Sequence, residues 1–321
     1  MNTRFFRFAA IATAVLTFAV NALADTYPSK PIRVITGYAP GGIGSTMARM
    51  WSEEVGKQLK QSFVVDDRPG ASNSIGARAA MTAAPDGYTL LVAGINSHPL
   101  LFKGGMDLQK EMEPVAVAGV IPLAFLTSTQ KNLKTVADVV AYAKANPGRL
   151  DFASSGGGAQ LNLMMALFAN RVGITYTHIP FKGTAEITTA IARDDVQITL
   201  LSAPSSLPLL QSGKANAVLI GADSRSSLMP DVPTPKEVGI KPFSVDSLMI
   251  VYAPKGTPKD IIQKLNAASI AVAKQPAYID GMKSRTGEKP LPYTPEQTRA
   301  MVDQKLAELE EAARIANYKP E

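Results

Sequence analysis

Two residue types are absent or scarce in this chain of 321 residues, which has no cysteine and only two histidines, His98 and His178. Without cysteine the chain has no disulfide, no thiol nucleophile and no cysteine-ligated zinc or iron–sulfur cluster. Neither histidine shares the spacing of a metal-binding motif with another ligand residue. We therefore expect no metal and no cofactor.

A strong excess of one charge is also absent. The formal net charge is +6, and it falls to +4 without Arg4 and Arg7, which precede the predicted mature chain. This excess is mild and scattered, so it gives no argument for nucleic acid as a partner, but it is compatible with small anions. No segment after residue 24 is apolar enough to cross a membrane.

Residues 1–24 are predicted to be a signal peptide. Two arginines precede an apolar run at 8–20, which is too short to span a bilayer, and Ala22-Leu23-Ala24 is typical of a cleavage site. The alternative is a membrane anchor that is retained. No cysteine follows the run, which excludes lipid attachment there. We expect cleavage near Ala24 and a periplasmic protein.

The rest of the chain repeats the order strand, glycine-bearing turn, amphipathic helix. This order favours an α/β fold with parallel or mixed sheets flanked by helices. After a strand at 32–36, apolar spacing predicts a helix from Ser45 or Thr46. Thr135 and Thr294 begin capping-box patterns, and Thr257 is predicted to cap a long helix in the same way.

Three segments place glycines and hydroxyls where a strand hands over to a helix: PGGIGST at 40–46, SSGGGAQ at 154–160 and PFKGTA at 180–185. A helix start has free N–H groups and about half a positive charge, so it can hold an anion without a cationic side chain. Converging in one cleft, the three would form a receptor for a small carboxylate. The alternative is simple turn geometry, for which glycine also serves.

Neither common nucleotide-binding motif fits the first of these segments. Met47 stands where a dinucleotide fingerprint has its third glycine, and no Gly-Lys-Ser or Gly-Lys-Thr follows for a phosphate-binding loop.

An ordered set of motifs along the chain resembles the Bug-type periplasmic receptors, which are the solute-binding proteins of tripartite tricarboxylate transporters. The motifs are YPSKPIR at 27–33, APGG at 39–42, RPGA at 68–71, APDGYTLL at 84–91, NPG at 146–148, FAS at 152–154, HIPFKG at 178–183, LMPDVPT at 228–234 and APKGTP at 253–258.

The resemblance implies a two-lobe periplasmic binding protein that closes on its ligand like a Venus flytrap. Lobe 1 would comprise 25–125 and 247–321, and lobe 2 would comprise 126–246. The ligand would be a small organic mono- or dicarboxylate, aromatic acids included. A monomeric receptor would deliver it to the membrane permease subunits of a tripartite tricarboxylate transporter.

The resemblance also indicates where the ligand would bind. Residues 39–42 would contact one carboxylate through waters, 154–160 would hold the other at a helix start, and 202–205 would add polar contacts. Together with nearby polar residues and Phe181, for which core packing is the alternative, the candidates are Ala39, Pro40, Gly41, Gly42, Ser45, Asn96, Ser97, Ser154, Ser155, Gly156, Gly157, Gly158, Ala159, Gln160, Phe181, Gly183, Thr184, Ser202 and Asp246.

The chain departs from the family pattern at two of these positions. Many relatives have an aspartate where Ser45 stands, so the chain lacks a partner for an amino group and an anionic ligand is favoured. The segment 154–160 lacks the asparagine and hydroxyl residue that are frequent between its glycines, so backbone N–H groups would bind the carboxylate.

Two other functions stay open. A ligand-sensing receptor for a membrane sensor kinase would have the same sequence features. An exported hydrolase has less support, because there is no Gly-x-Ser-x-Gly elbow and a triad would have to recruit His98 or His178. We therefore expect that the protein is not an enzyme.

Overall fold

The computed structural model describes residues 27–70, 73–95, 98–101, 105–155, 159–181, 183–286 and 288–319, and only the backbone of Ser155 and Ala159. The predicted signal peptide and the candidates Asn96, Ser97 and Gly156 to Gly158 lie outside the described residues.

Ten strands and ten α-helices make up the described fold. The strands are β1 (Ile32–Thr36), β2 (Phe63–Asp67), β3 (Thr89–Ala93), β4 (Met112–Ile121), β5 (Leu123–Ser128), β6 (Asp151–Ser155), β7 (Thr177–Phe181), β8 (Ile198–Ser202), β9 (Ala215–Ile220) and β10 (Ser247–Pro254). The helices are α1 (Ile43–Leu59), α2 (Ser74–Met81), α3 (Leu108–Glu111), α4 (Val136–Ala145), α5 (Ala159–Val172), α6 (Thr184–Arg193), α7 (Ala203–Gln211), α8 (Lys259–Ala273), α9 (Pro276–Thr286) and α10 (Pro295–Ile315).

The strands form two five-stranded sheets with the same plan. The first has the order β2-β1-β3-β10-β4 and the second the order β7-β6-β8-β5-β9. In each sheet three parallel strands are followed by one antiparallel strand, β10 or β5, and then by an edge strand. The predicted α/β class with mixed sheets flanked by helices is confirmed.

The two sheets meet at Pro122, on the side where their parallel strands end and the glycine loops begin. Because β10 is antiparallel to both β3 and β4, β4 ends at the same edge as β1 and β3. β5 begins one residue later and pairs Leu123 with Ser202, the last residue of β8. The carboxyl ends of the parallel strands of both sheets therefore face one junction, which is where open α/β sheets bind ligands.

The chain changes sheet twice at this junction. It first passes from β4 to β5 through Pro122, and it returns between Ile220, the end of β9, and Ser247, the start of β10. Strand membership thus puts the first change at residue 122, whereas the sequence-based lobe boundary is 125/126. The assignment of whole lobes to 25–125 with 247–321 and to 126–246 stays a prediction.

The long C-terminal helix α10 connects the two sheets. It follows β10 of the first sheet in sequence and packs both on β4 and on α5, the helix that follows β6 of the second sheet. Arg171 of α5 donates to the carbonyls of Lys241 and Pro242 at 2.8 and 2.6 Å, and its guanidinium lies 3.4 Å from Glu311 of α10. Below these contacts the rings of Phe125 and Phe168 pack at 4.8 Å in a core that spans both sheets.

Two of the predicted helix caps are confirmed and one is wrong. Capping boxes open α4 at Thr135 and α10 at Thr294. The hydroxyl of Thr257 instead donates to the carbonyl of Pro254 at 2.7 Å, and extended Pro258 is the N-cap of α8. α1 begins at Ile43, earlier than predicted.

Among the described residues, no helix combines the length and apolar character needed for a membrane span.

Candidate functional site

The first glycine loop ends in a helix start that has no side-chain cap. Gly42, in extended conformation, is the N-cap of α1, and no side chain bonds the first turn. Its N–H donates to the carbonyl of Ala39 at 3.0 Å, whereas the N–H groups of Ile43, Gly44 and Ser45 have no acceptor among the described residues. Residues 39–43 are exposed, so this start can receive an anion.

The glycines of this loop have different structural reasons. Gly41 has a φ of +80°, a conformation that favours glycine. At Gly44 an added Cβ would lie 2.5 Å from the ring of Tyr38, so close packing requires glycine there. Burial raises the pKa of Tyr38 to about 12, and this phenol stays neutral beside the helix start. Gly41 and Gly44 are therefore explained without a ligand.

The third glycine segment leads to a second uncapped helix start. Gly183 is the extended N-cap of α6, with no side-chain hydrogen bond to the first turn. Its φ of −179° is open to any residue, and an added Cβ would meet nothing within 4 Å among the described residues. Thr184 and Ala185 are exposed. Neither strain nor crowding explains this glycine, and the space above it is open to a ligand.

These two helix starts belong to the two edges that meet at Pro122. α1 follows β1 in the first sheet and α6 follows β7 in the second, so both begin where parallel strands end. Each start contributes about half a positive charge and several N–H donors. Backbone N–H groups therefore place partial positive charge at two points of the junction, although Glu186 lies in the first turn of α6.

The segment 154–160 can be described only at its two ends. Ser154 is fully buried at the end of β6, and Gln160 is buried in the first turn of α5. Gly156 to Gly158, which would hold a carboxylate, lie outside the described residues. The assignment of this segment to the ligand stays a prediction.

Ser154 has a partner that the sequence does not reveal. Its Oγ lies 2.7 Å from Nε2 of His178, in a hydrogen bond between the neighbouring parallel strands β6 and β7. The His178 ring also packs against Phe152, with ring centroids 5.9 Å apart. Burial lowers the pKa of His178, which favours a neutral imidazole. The sequence carries no signal for this pair, because the two residues are 24 positions apart and strand pairing places Ser154 opposite Pro180 and His178 opposite Phe152.

A serine–histidine contact bears on the hydrolase alternative. A nucleophilic serine must be open to substrate, and its histidine is normally oriented by a carboxylate. Ser154 is fully buried, and among the described residues no carboxylate contacts His178. The pair therefore works as a hydrogen bond between two strands rather than as a nucleophile and base.

Ser45 uses its hydroxyl inside the protein. It is fully buried and donates to Oδ1 of Asp67 at 2.8 Å, while the other carboxylate oxygen of Asp67 is paired with Arg49. The sequence analysis expected no acidic group at Ser45, but the carboxylate of Asp67 lies next to it and is paired with Arg49. The sequence analysis missed Asp67. Its signal is its place as the last residue of β2, the strand paired with β1.

Ser202 caps its own helix. Its Oγ accepts from the N–H of Ser205 at 3.4 Å and donates to the Ser205 hydroxyl at 2.7 Å. The start of α7 is thus satisfied by a side chain, in contrast to the starts of α1 and α6. Ser202 does lie at the junction, opposite Leu123.

The structure separates the remaining candidates. Phe181 is half-buried against the core cluster under α6 and α7. Asp246 lines a cavity against α10, and none of the residues that line this cavity belongs to the three glycine segments. Ala39 to Gly42, and Gly183 with Thr184, lie beyond the carboxyl ends of parallel strands, on the sides of the two sheets that meet at Pro122. In the described ranges no three acidic or histidine side chains are grouped as a metal site.

Comparison with known families and sequences gives one consistent result. The model of the tripartite tricarboxylate transporter family receptor matches residues 47–313. Protein BugT of Bordetella pertussis is 33% identical over 300 residues, which cover 91% of this chain and 90% of that protein. A UPF0065 protein of Agrobacterium vitis, named for the TAR-I ttuE-ttuC' intergenic region, is 30% identical over 321 residues, covering 98% of this chain and 91% of that protein.

Solved structures share the fold along almost the whole chain. An R. palustris protein with adipate has a TM-score of 0.76 at 25% identity and covers 92% of this chain and all of its own. MatC from Rhodopseudomonas palustris with bound malate has a TM-score of 0.71 at 27% identity, covering 89% and 99%. The periplasmic binding protein BugD has a TM-score of 0.72 at 27% identity, covering 92% and 100%.

Proposed function

The chain belongs to the tripartite tricarboxylate transporter family of receptors, and from this premise we propose that it is a periplasmic receptor for a small organic mono- or dicarboxylate. The ligand binds at the junction of the two sheets, and the loaded receptor delivers it to the permease subunits of such a transporter. Export by the predicted signal peptide is part of the proposal.

The observation that carries the proposal is the pair of uncapped, glycine-preceded starts of α1 and α6 at the junction. A carboxylate that leaves water needs several hydrogen bonds to each oxygen. The N–H groups of Ile43 and Gly44 on one side, and of Thr184 and Ala185 on the other, have no acceptors among the described residues. They can bind two carboxylate groups, or one group from both sides.

The adipate and malate in two related structures support a dicarboxylate. We assign direct or water-mediated contacts to 39–43 and 183–184 and keep 154–160, Asn96 and Ser97 as predicted contacts. Ser45 and Ser202 act by shaping the loops, because their hydroxyls already have partners. Closure of the lobes adds contacts that the open form lacks, so ligand shifts the population to the closed form.

A ligand screen tests the proposal on the mature chain. Thermal shift followed by calorimetry compares adipate, malate and benzoate with adipamide, the neutral diamide. A carboxylate present at 100 times its Kd should stabilise the protein by about 2.7 kcal/mol. Stabilisation by adipamide as large as by adipate, or no response to any acid, would contradict a carboxylate receptor. Hydrolysis of p-nitrophenyl esters in the same samples would support the hydrolase instead.

Two variants at the start of α6 locate the binding site. Gly183→Ala adds a methyl group where the protein leaves open space, so it should keep the stability and weaken binding by filling the ligand's place. Thr184→Pro removes one N–H donor at a first helical position, which tolerates proline. Loss of one hydrogen bond to a charged group costs about 1.5–3 kcal/mol, or roughly 10- to 150-fold in Kd.

The matched control is Lys259→Pro. Lys259 is the exposed first residue of α8, another helix without a side-chain cap, and it lies at the opposite edge of the first sheet. We expect this variant to bind the acid like the wild type. Equal loss of affinity in Thr184→Pro and Lys259→Pro would show that proline perturbs the fold rather than the site.

A further inference from the structure

The cavity that Asp246 lines is away from the glycine loops. It lies where the crossing segments face α10. It measures about 550 Å³ and is bounded by residues 222–224, by 244–248, by 288–293 and by α10. This size is in the range of small-molecule sites. The walls combine charged groups with the apolar side chains of Leu248, Leu291 and Met301.

Asp246 presents an unsatisfied carboxyl oxygen in this cavity. One oxygen, Oδ2, accepts a hydrogen bond from the hydroxyl of Ser244. The other, Oδ1, is buried and has no hydrogen-bond partner among the described residues. Burial raises the pKa of this carboxyl, against the opposing effect of Lys305. A buried acceptor without a donor costs about 1–3 kcal/mol, and more when it is charged.

Glu288 presents a second such oxygen. Its Oε1 is buried and likewise has no partner in the described part of the chain. Burial, and then the charge of Asp246, raise the pKa of Glu288 to about 7. The two carboxyl groups therefore interact electrostatically, and no hydrogen bond joins them among the described contacts. Each of the two carboxyl groups thus has one buried oxygen without a donor among the described residues.

Lys305, one of the two lysines in the wall, makes its contacts elsewhere. Nζ of Lys305 donates to the carbonyl of Ser244 at 2.7 Å and lies 3.6 Å from Glu308. Glu308 in turn accepts from the N–H of Ser244 at 3.3 Å, so both side chains hold the crossing segment on α10. The charged groups that face the cavity are Asp223, Asp246, Glu288, Glu308, Lys289 and Lys305, which leaves two negative charges in excess when all are ionised.

We propose that this cavity is a binding site for a small primary alkylamine, whose ammonium group pairs with the carboxyl groups of Asp246 and Glu288. An ammonium group has three N–H donors and no acceptor, which matches two carboxyl oxygens that lack donors. The side chain of Gln304, also in the wall, can accept the third hydrogen bond. The alkyl chain packs on Leu248, Leu291 and Met301.

Calorimetry with n-butylamine tests this site, with 1-butanol as the neutral analogue and Mg²⁺ as the inorganic cation. We expect n-butylamine to bind with a millimolar or lower Kd at pH 7.5, and butanol and Mg²⁺ to bind at least tenfold more weakly. Because the ammonium displaces a proton from the carboxyl pair, the amine should bind more weakly at pH 5.5. The measured heat should change with the ionisation enthalpy of the buffer.

Three variants decide where the amine binds. Asp246→Asn and Glu288→Gln should each weaken n-butylamine binding at least tenfold. Glu310→Gln removes an exposed acid from α10 that does not line the cavity, and it should have no effect. Circular dichroism checks that each variant is folded, and Glu288→Gln remains informative if Asp246→Asn is not.

The proposal is overturned if butanol binds as well as the amine, if Mg²⁺ binds more tightly, if the amine does not bind, or if the cavity variants bind it like the wild type. The same variants are titrated with adipate and malate. Because this cavity is separate from the junction, the cavity variants should bind both acids like the wild type. If they lose carboxylate binding, the junction is not the carboxylate site, and the receptor proposal fails there. The amine result is judged by the amine titrations alone.

Discussion

Replacement of Gly221 by alanine should destabilise the point where the chain returns from the second sheet to the first. Gly221 follows β9 and bonds both crossings: its N–H donates to the carbonyl of Leu123 at 2.9 Å, and its carbonyl accepts from the N–H of Val245 at 2.8 Å. An added Cβ would overlap Cγ2 of Val245 and lie 3.1 Å from its Cβ. Val245 is fully buried, so it cannot turn away into solvent.

The size of the effect follows from overpacking. Extra methyl groups in a packed core cost about 1–3 kcal/mol. Val245→Ala alone removes two buried methyl groups and should cost about 2–3 kcal/mol. In the double variant the new methyl of residue 221 takes the space that Cγ2 of Val245 leaves. The double variant should therefore be about 1–2 kcal/mol more stable than the sum of the single effects predicts.

Urea denaturation of the four proteins measures this coupling. Gly281→Ala provides the matched control, because a Cβ at this helical glycine makes only ordinary contacts, at 3.5 Å from Met50 and 3.6 Å from Arg285. If the effects of Gly221→Ala and Val245→Ala simply add, or if Gly221→Ala is as stable as the wild type, the crossing is not packed as described and the reasoning is wrong.

Three further predictions follow from individual contacts. Gly281→Ala should raise the free energy of unfolding by about 0.5–1 kcal/mol, since glycine inside a helix is unfavourable, and an unchanged urea midpoint would contradict this. Glu288→Gln should raise Tm at pH 8 but not at pH 4.5. The folded-state pKa of Glu288 is raised to about 7, so its ionisation destabilises the wild type as the pH rises from the unfolded-state pKa of about 4.3 through 7. Equal gains in Tm at both pH values would refute this assignment. Thr294→Ala should cost about 1 kcal/mol in urea denaturation by removing the capping box of α10, and an unchanged urea midpoint would contradict this.

The sequence predicts the α/β class because each strand and helix has its own local signal. The apolar run at 88–93 became the buried strand β3, and the capping patterns at Thr135 and Thr294 formed as capping boxes. A local signal fails where a second local partner competes for the same group. The hydroxyl of Thr257 donates to the carbonyl of Pro254, three residues earlier, and this contact replaces the predicted cap.

Sequence reasoning found the helix starts of the candidate site but not the partners of its hydroxyl groups. Glycine before a helix is visible in the sequence, so the starts of α1 and α6 could be found. The function of a hydroxyl could not, because Ser45 and Ser154 use theirs on Asp67 and His178, which come from neighbouring strands. Strand pairing decides these contacts, and one sequence does not reveal the order of strands.

The cavity against α10 shows the same limit more strongly. Asp246, Glu288 and Lys305 come from three separate stretches of the chain, and no spacing joins them. Only the return of the chain along α10 brings their charges together. A buried pair of carboxyl groups is thus a property of the fold, although each acid by itself looks like a surface residue in the sequence.

Two helix starts at the junction lack a side-chain cap, and stability alone does not explain this. Side chains cap α3, α4, α7 and α10, and each such cap is worth about 1 kcal/mol. Gly42 and Gly183 leave α1 and α6 without one, although an extended N-cap such as Gly183 would accept serine or aspartate without strain. A side-chain oxygen at these two positions would occupy the N–H groups that a carboxylate ligand needs. Gly183→Ser should therefore stabilise the empty protein and weaken carboxylate binding, and a gain in both quantities would show that these helix starts are not the site.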